Sequence, residues 1–237
     1  MAIFLLRWRK VTNLWQEKRD GRRLMAMRGA KEKNGWMRVL GVDPAAAGPT
    51  GYGIVESDGR RCRMLHYGAL RVTAKRQKEC AGATLQDVHT LLCGLLEKFM
   101  PDAMAVESVF TALNMRTALR LAEVRGVVLL AAAQHGVEVH SYAPREVKAF
   151  IAGHGQADKR QVQLMVRALL SMTETPEPAD AADALAVALC HLQMEQARRR
   201  FALPEASALG KPRGARVALA AVSGLTRSAF SRILSTR

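Results

Sequence analysis

The order of strand-like and helix-like segments between residues 37 and 197 constrains the fold of this chain most strongly. Three strand patterns come first: MRVLGVD from Met37, GYGIVES from Gly51, and a third that follows the tight turn at Asp58-Gly59 and runs to about Val72. Further strands are predicted at 103–107 and 137–143, and helices at 77–99, 114–135, 144–151, 159–171 and 179–197. The order βββαβαβ followed by helices predicts an α/β fold, in which a mixed sheet of about five strands is flanked by helices.

The basic residues are concentrated at the two ends of the chain. The 237 residues carry a net charge of +15. Residues 1–36 hold ten Lys/Arg against three Asp/Glu, and residues 198–237 hold nine against one, which leaves seventeen of each in residues 37–197. We therefore expect a neutral domain at 37–197 between a basic N-terminal extension (1–36) and a basic, flexible C-terminal tail (198–237). Such tails favour a polyanionic partner, although basic tails are also often merely solvated.

The first well-patterned strand begins at a methionine, Met37. One hypothesis is that translation starts there and that residues 1–36 are not part of the native protein.

The sequence offers no signal for a membrane or for secretion. No apolar stretch approaches the ~18 residues that span a bilayer, and the apolar run near the N-terminus is too short for a secretory signal. We therefore expect a cytoplasmic protein. The four cysteines form no C-x-x-C pair, so reduced core thiols are expected rather than disulfides or a zinc site.

Four acidic residues fall at the ends of predicted elements. Asp43 ends the first strand, Glu107 ends the fourth, and Asp180 and Asp183 begin the last helix in PEPADAADALAVAL. An acid just after a proline is an ordinary N-cap, and that interpretation remains open for Asp180. However, residues 180 and 183 share one helix face, and no further charge follows before Glu195.

These four acids converge if the first and fourth strands are adjacent and parallel, because strand ends of the same sense form the crevice of an open α/β sheet. Four carboxylates in one crevice would repel one another unless divalent cations lay between them. Carboxylate oxygens suit Mg²⁺ or Mn²⁺. A pair of such ions is the usual apparatus for phosphodiester hydrolysis.

Five blocks of sequence, in order, resemble one protein family. They are MRVLGVDP with TGYGIVE, PDAMAVESVFTALN, AEVRGVVLLAAAQHGVEVHSYAPREVK, GHGQADKRQVQLMV and ADAADALAVALCH. Together they resemble the RuvC family of bacterial Holliday-junction resolvases over essentially all of residues 37–194. The resemblance implies an RNase H-like fold, a homodimer and a Mg²⁺-dependent crossover junction endodeoxyribonuclease. Such an enzyme resolves four-way DNA junctions by paired nicks in homologous recombination and DNA repair.

The resemblance also implies a cofactor, a partner and a set of metal ligands. It implies two Mg²⁺ ions per active site, for which Mn²⁺ can substitute, and the RuvA–RuvB branch-migration complex as partner. The catalytic and metal-binding carboxylates in those motifs are Asp43, Glu107, Asp180 and Asp183.

Three further residues match DNA-contacting positions of the family. Phe110 corresponds to an aromatic residue that contacts unpaired bases, with burial in the core as the alternative. Lys148 and Lys159 correspond to lysines near the cleavage site, with solvated surface lysines as the alternative. His154 and His191 receive no role.

One loop departs from the family pattern. After the first aspartate the family usually has Pro-Gly-Ser. This chain reads DPAAAGPTG, so it keeps the proline but has Ala45 and Ala46 in place of Gly-Ser, and it has one extra residue. If the loop needs positive φ, we expect strain at alanine, or a bend moved to Gly48. Separately, Gly153 and Gly155 of GHG are expected to permit a turn or a close backbone approach.

Three alternative functions remain open. GVDPAAAGPTGYGIV is also similar to the first phosphate loop of actin-like sugar kinases and ATPases, but those enzymes need a second such domain, for which the chain has no room. A non-catalytic junction-binding protein would hold four-way DNA without cutting it. Another RNase H-like nuclease would act on RNA or on linear nucleic acid.

Overall fold

The computed structural model describes residues 35–46, 48–72, 82–108 and 114–201. The elements in these ranges are β1 (Met37–Asp43), β2 (Thr50–Ser57), β3 (Cys62–Leu70), α1 (Ala83–Phe99), β4 (Ala103–Glu107), α2 (Met115–Gln134), β5 (Glu138–Tyr142), α3 (Pro144–Ala152), α4 (Lys159–Leu169) and α5 (Ala179–Phe201). Their order and types confirm the predicted α/β fold. Most predicted ends agree within two residues, whereas α5 continues four residues further than predicted and the predicted start of α1 lies outside the described residues.

The five strands form one mixed sheet in the order β3-β2-β1-β4-β5. The first three strands are an antiparallel meander, and Gly59 has a φ of 88° in the turn that joins β2 to β3. Strand β4 pairs with β1 in parallel, and β5 pairs with β4 in parallel. Since Val42 is the register partner of Val106, the next residues, Asp43 and Glu107, leave neighbouring strands at the same edge of the sheet.

Helices cover both faces of the sheet. Alternate residues of β1 face opposite sides, so that Leu40 and Val42 pack with buried residues of α1 and α2 while Val39 packs with residues of α3, α4 and α5. Helix α5 lies directly against the sheet, and most of its residues from Ala181 to Leu192 are buried. The absence of Asp, Glu, Lys and Arg from Ala184 to Leu192 follows from this part of the helix being surrounded by protein.

Glycines allow α5 to approach β1 and β2 closely. A Cβ atom on Gly41 would overlap the carbonyl oxygen of Ala184, and one on Gly53 would lie 2.6 Å from Cδ2 of Leu185. A Cβ atom on Gly51 would lie 2.5 Å from the carbonyl carbon of Asp180. The sequence of the two strands therefore determines how near the start of α5 comes to the end of β1.

Two further findings concern the helices and the cysteines. None of the described helices combines the length and apolar content that crossing a membrane requires. Cys62 and Cys190 are free thiols and Cys190 is buried, whereas Cys80 lies outside the described residues.

Candidate active site

Three aspartates meet where β1 ends and α5 begins. Asp43, Asp180 and Asp183 each offer a carboxylate oxygen, and these oxygens all lie within 4.8 Å of one another. All three side chains are half-buried. The strand end supplies the first aspartate, and the two residues spaced by one helical turn supply the others on the face that α5 turns towards the sheet.

Glu107 joins this group from the neighbouring strand. Its carboxyl group is hydrogen-bonded to that of Asp43. Burial, together with the charges of Glu107 and Asp183, raises the pKa of Asp43 to about 8. Burial also raises the pKa of Glu107. In the metal-free protein the Asp43–Glu107 pair therefore holds a proton near neutral pH, because neither carboxyl group can readily lose it beside the other charges.

Two lysines lie beside the four acids. Lys159 Nζ is 2.9 Å from Asp183 Oδ2, and the hydrogen bond raises the pKa of Lys159. Lys148 is close enough for its charge to lower the pKa of Glu107, partly offsetting the effect of burial. Both lysines, Glu107 and Asp183 line a cleft of about 230 Å³. The cleft is thus lined by two carboxylates and two ammonium groups.

The starts of two helices determine where Lys159 and Asp180 lie. Asp158 accepts a hydrogen bond from the backbone N–H of Gln161 at 2.7 Å and so starts α4 at Lys159. In α5 the carbonyl oxygen of Pro178 accepts the first helical bonds, from the N–H groups of Ala181 and Ala182. Asp180 therefore lies in the first turn of α5 and not at the N-cap, which removes the capping interpretation.

The sequence profile of the family "Crossover junction endodeoxyribonuclease RuvC" matches residues 39–191. This chain belongs to the RuvC family.

Each of three relatives matches about two thirds of this chain. RuvC of Heliobacterium modesticaldum is 46% identical over 154 residues, which are 65% of this chain and 93% of that protein. RuvC of Caldicellulosiruptor saccharolyticus is 42% identical over 157 residues, which are 66% of this chain and 92% of that protein. The structure of T. thermophilus RuvC in complex with a Holliday junction substrate is 38% identical, with a TM-score of 0.61 over 65% of this chain and 92% of that one.

The loop after Asp43 tolerates its departure from the usual RuvC pattern. The described part of the loop, which includes Ala45, Ala46 and Gly48, contains no residue with positive φ. The strain predicted for alanine is therefore absent at Ala45 and Ala46, and the bend is not moved to a left-handed Gly48.

The GHG loop uses its two glycines in different ways. Gly153 has a φ of 84° and ends α3 in the left-handed region. A Cβ atom on Gly155 would lie 3.2 Å from the carbonyl oxygen of Arg145, so this position allows close backbone packing. Both predicted uses of glycine, the turn and the close approach, are confirmed.

The position of the aromatic candidate is not described. Phe110 lies outside the described residues. The strand that leads towards it is anchored, since the Ser108 N–H donates to the carbonyl oxygen of Tyr142 at 2.8 Å.

Sequence reasoning gave His191 no role, and the structure places it in the core. Its Nδ1 is 2.6 Å from the hydroxyl of Tyr142, and its side chain is fully buried. Burial lowers the pKa of His191 to about 3, so the ring stays neutral. The contact joins α5 to β5. Its only signal in the sequence is that two polar residues, far apart along the chain, each lie in an apolar segment.

Sequence reasoning also missed the glycines beneath α5. Gly41, Gly51 and Gly53 occur inside strands, where glycine weakens a sheet unless another chain segment approaches closely. Glycine at three positions of two strands therefore indicates that another segment packs closely there, but it does not tell which segment.

The four carboxylates fit a divalent metal ion. They supply hard oxygen donors from three elements. Burial and the neighbouring negative charges raise the pKa of Asp43, and a bound cation would offset both effects. Among the described residues, the group of potential metal-binding side chains contains only acids, without histidine or cysteine, which favours Mg²⁺ or Mn²⁺ over zinc.

Proposed function

We propose that this chain is a structure-specific endonuclease that resolves four-way (Holliday) DNA junctions by paired, metal-dependent nicks. The observation that carries the proposal is the convergence of Asp43, Glu107, Asp180 and Asp183 at one edge of the sheet in a chain of the RuvC family. The reaction is hydrolysis of a phosphodiester bond in homologous recombination and DNA repair.

Asp43, Asp180 and Asp183 would hold a divalent ion directly, and Glu107 would complete a site for two ions. When bound, the ions supply an activated water and stabilisation of the leaving oxygen. The protein contributes placement: the carboxylates come from a buried strand end and a buried helix, so they hold their geometry without reorganisation. The proton of the Asp43–Glu107 pair must be released for full metal binding.

Lys148 and Lys159 would hold the DNA backbone at the rim of the cleft. A phosphate held between the two ammonium groups would lie near Glu107 and Asp183, and bound metal ions would offset its repulsion from these carboxylates. Lys159 also keeps the Asp183 side chain in one orientation through their 2.9 Å contact. Phe110 is proposed to stack on unpaired bases at the crossover, on the strength of the family resemblance.

A homodimer would place two such sites on opposed strands of a symmetric junction. Helix α2 offers a surface for a second copy of this chain. Its residues 115, 119, 122, 126, 129 and 133 repeat at alternating intervals of four and three, as in a coiled-coil seam. Met115 is 75% exposed and Leu119 59% exposed, and Gly126 has open space around it within the chain.

Glycine inside a helix costs about 1 kcal/mol relative to alanine, and nothing within the described chain requires Gly126. A second α2 crossing at this point would use the space. In the cell we further propose a cytoplasmic location and RuvA–RuvB as partners, both from the family resemblance.

The test is cleavage of a labelled synthetic four-way junction beside a linear duplex of the same sequence, with Mg²⁺ or with EDTA. Wild-type protein should produce paired, religatable nicks only in the junction and only with Mg²⁺. Asp180→Asn should bind the junction and lose at least about 10²-fold in cleavage rate, since it removes a charged ligand.

Other outcomes would select an alternative function. Binding without cleavage under Mg²⁺ or Mn²⁺ would indicate a non-catalytic junction-binding protein. Cleavage of RNA or linear duplex at the same rate would indicate a different RNase H-like nuclease.

A further inference from the structure

We propose that Gly51 is a positioning residue of the active site: its missing side chain is what lets Asp180 reach the metal ions. The inference rests on the proposed nuclease function. It assigns a role in that chemistry to a residue that has no functional group.

The position of Gly51 follows from the β1–β2 ladder. Gly51 is the direct register partner of Asp43. Partners across an antiparallel ladder project to the same face of the sheet. A side chain at residue 51 would therefore stand beside the Asp43 carboxylate, on the face that α5 covers.

The backbone of Asp180 occupies that space. A Cβ atom on Gly51 would overlap the carbonyl oxygen of Asp180, and it would lie 2.5 Å from the carbonyl carbon and 3.2 Å from the N–H nitrogen of Ala181. Restoring van der Waals contact requires Asp180 to move by about 1 Å or more. These atoms are backbone, so no change of side-chain rotamer can relieve the overlap.

The displacement would fall on the first turn of α5. The body of the helix is anchored by Leu185, Leu189 and Leu192, which are essentially fully buried. The first turn, in contrast, is held at its start by the Pro178 carbonyl bonds to Ala181 and Ala182. Asp180 therefore retreats from Asp43 while the rest of α5 stays, and a shift of about 1 Å is enough to cost about 10²-fold in a preorganised site.

Gly53 provides a matched control on the same strand. It faces the same helix, but its added Cβ would meet mainly the Leu185 side chain, 2.6 Å from Cδ2 and 2.8 Å from Cγ. The backbone nitrogen of Leu185 follows at 3.1 Å, and all of these atoms lie beyond the first turn of α5, which carries Asp180 and Asp183. Gly53→Ala should therefore lower stability without moving a carboxylate.

The experiment measures Mn²⁺ binding to the full chain without DNA, by electron paramagnetic resonance of the free ion. We expect Gly51→Ala to lower Mn²⁺ affinity about 10- to 100-fold. The Mg²⁺ concentration for half-maximal junction cleavage should rise by the same factor. Gly53→Ala should keep wild-type values in both measurements. Equal Mn²⁺ affinity in wild type and Gly51→Ala would overturn the proposal.

A second variant separates positioning from general damage. Asp180→Glu lengthens the side chain by one methylene, which can span the retreat. In the Gly51→Ala background it should raise Mn²⁺ affinity, whereas in the wild-type background it should lower affinity. Losses that simply add in the double variant would contradict a positional effect.

If Gly51→Ala is unfolded in buffer, its metal affinity is obtained from refolding on addition of Mn²⁺, followed by circular dichroism. The reference is wild-type protein brought with urea to the same folded fraction. Refolding at the wild-type Mn²⁺ concentration would overturn the proposal. If wild-type protein itself neither binds Mn²⁺ nor cuts junctions, the proposed nuclease function fails. If wild-type protein does both and Gly51→Ala binds Mn²⁺ equally well, only the proposed role of Gly51 fails.

Discussion

Asp43 is the residue whose ionisation is most strongly coupled to the rest of the site. Its pKa rises from an ordinary 3.8 to about 8. The folded, metal-free protein therefore retains a proton that the unfolded chain releases, and the associated stability is lost as pH rises through about 8. Burial lowers the pKa of His191 from 6.5, so this residue makes stability rise with pH. That rise is complete by pH 6.5, and above this pH the contribution of His191 to stability is constant.

We accordingly expect the metal-free protein to lose stability between pH 6.5 and pH 8. The measurement is urea unfolding in EDTA across this range. Asp43→Asn should remove most of the decline, and Mg²⁺ should abolish it because the metal binds the ionised form. A flat profile for wild-type protein in EDTA would show that Asp43 is already ionised at pH 6.5.

Lys159 contributes to the site through its charge and through its contact with Asp183. Lys159→Ala should reduce junction cleavage about 10²-fold, because it removes a cation from the developing phosphate charge. It should not weaken Mn²⁺ binding, since the lysine competes with metal for Asp183. Lys98→Ala, a change on α1, serves as the charge-matched control. A parallel loss of Mn²⁺ affinity would assign Lys159 to metal-site assembly instead.

The proximity of Asp43 and Glu107 was predictable from the strand pattern, whereas the prediction that Asp180 is a metal ligand came from the family resemblance and not from the residue pattern. Two strands of the same sense that end in acids bring those acids together whenever the strands are adjacent. For Asp180 the spacing fitted an N-cap as well as an inward ligand. The choice depends on where the helix begins, which sequence patterns define only to within one or two residues. It depends also on the approach of α5 to a glycine in a distant strand, which is a tertiary contact.

At the scale of elements, α5 shows where sequence patterns succeed and where they stop. Its apolar residues predicted a buried helix, which the structure confirms. Its end was predicted at residue 197, where apolar residues give way to arginines. The helix continues to Phe201, and the ion pair between Arg198 and Glu195 at 2.6 Å adds support beyond the buried segment.

Helix α5 should also be the element that contributes most to stability. Leu189 of α5 is fully buried in the apolar cluster that α5 forms with the sheet, α3 and α4. Leu189→Ala should lower the free energy of unfolding by about 2–5 kcal/mol, measured by urea denaturation. Leu164→Ala, at a position 43% exposed on α4, should change it by less than about 0.5 kcal/mol. Similar losses at both positions would show that Leu164 is covered in solution.

At the scale of the whole molecule, the apolar seam of α2 predicts the assembly. Leu119→Glu should convert a dimer to a monomer, because it places a charge in the apolar seam. Sedimentation velocity measures the change, and Leu164→Glu is the control on an exposed leucine outside the seam. A wild-type monomer would contradict the proposed homodimer, and a Leu119→Glu dimer would place its interface elsewhere.

The functional readout of the same variant is the pairing of nicks. On a cruciform plasmid, a dimer cuts both strands in one encounter and releases a linear product. A monomer leaves a nicked circle. Leu119→Glu should therefore retain single nicks while losing coordinated resolution, which separates assembly from chemistry.

The active site joins the first strand of the described chain to its last helix. Asp43 is made early in synthesis, and Asp180 and Asp183 are made only after every other element of the domain. A chain still on the ribosome therefore has no complete set of carboxylates until α5 has emerged and packed on the sheet. Any chain that is truncated before Asp180 therefore lacks two of the four carboxylates, even though it contains every strand of the sheet.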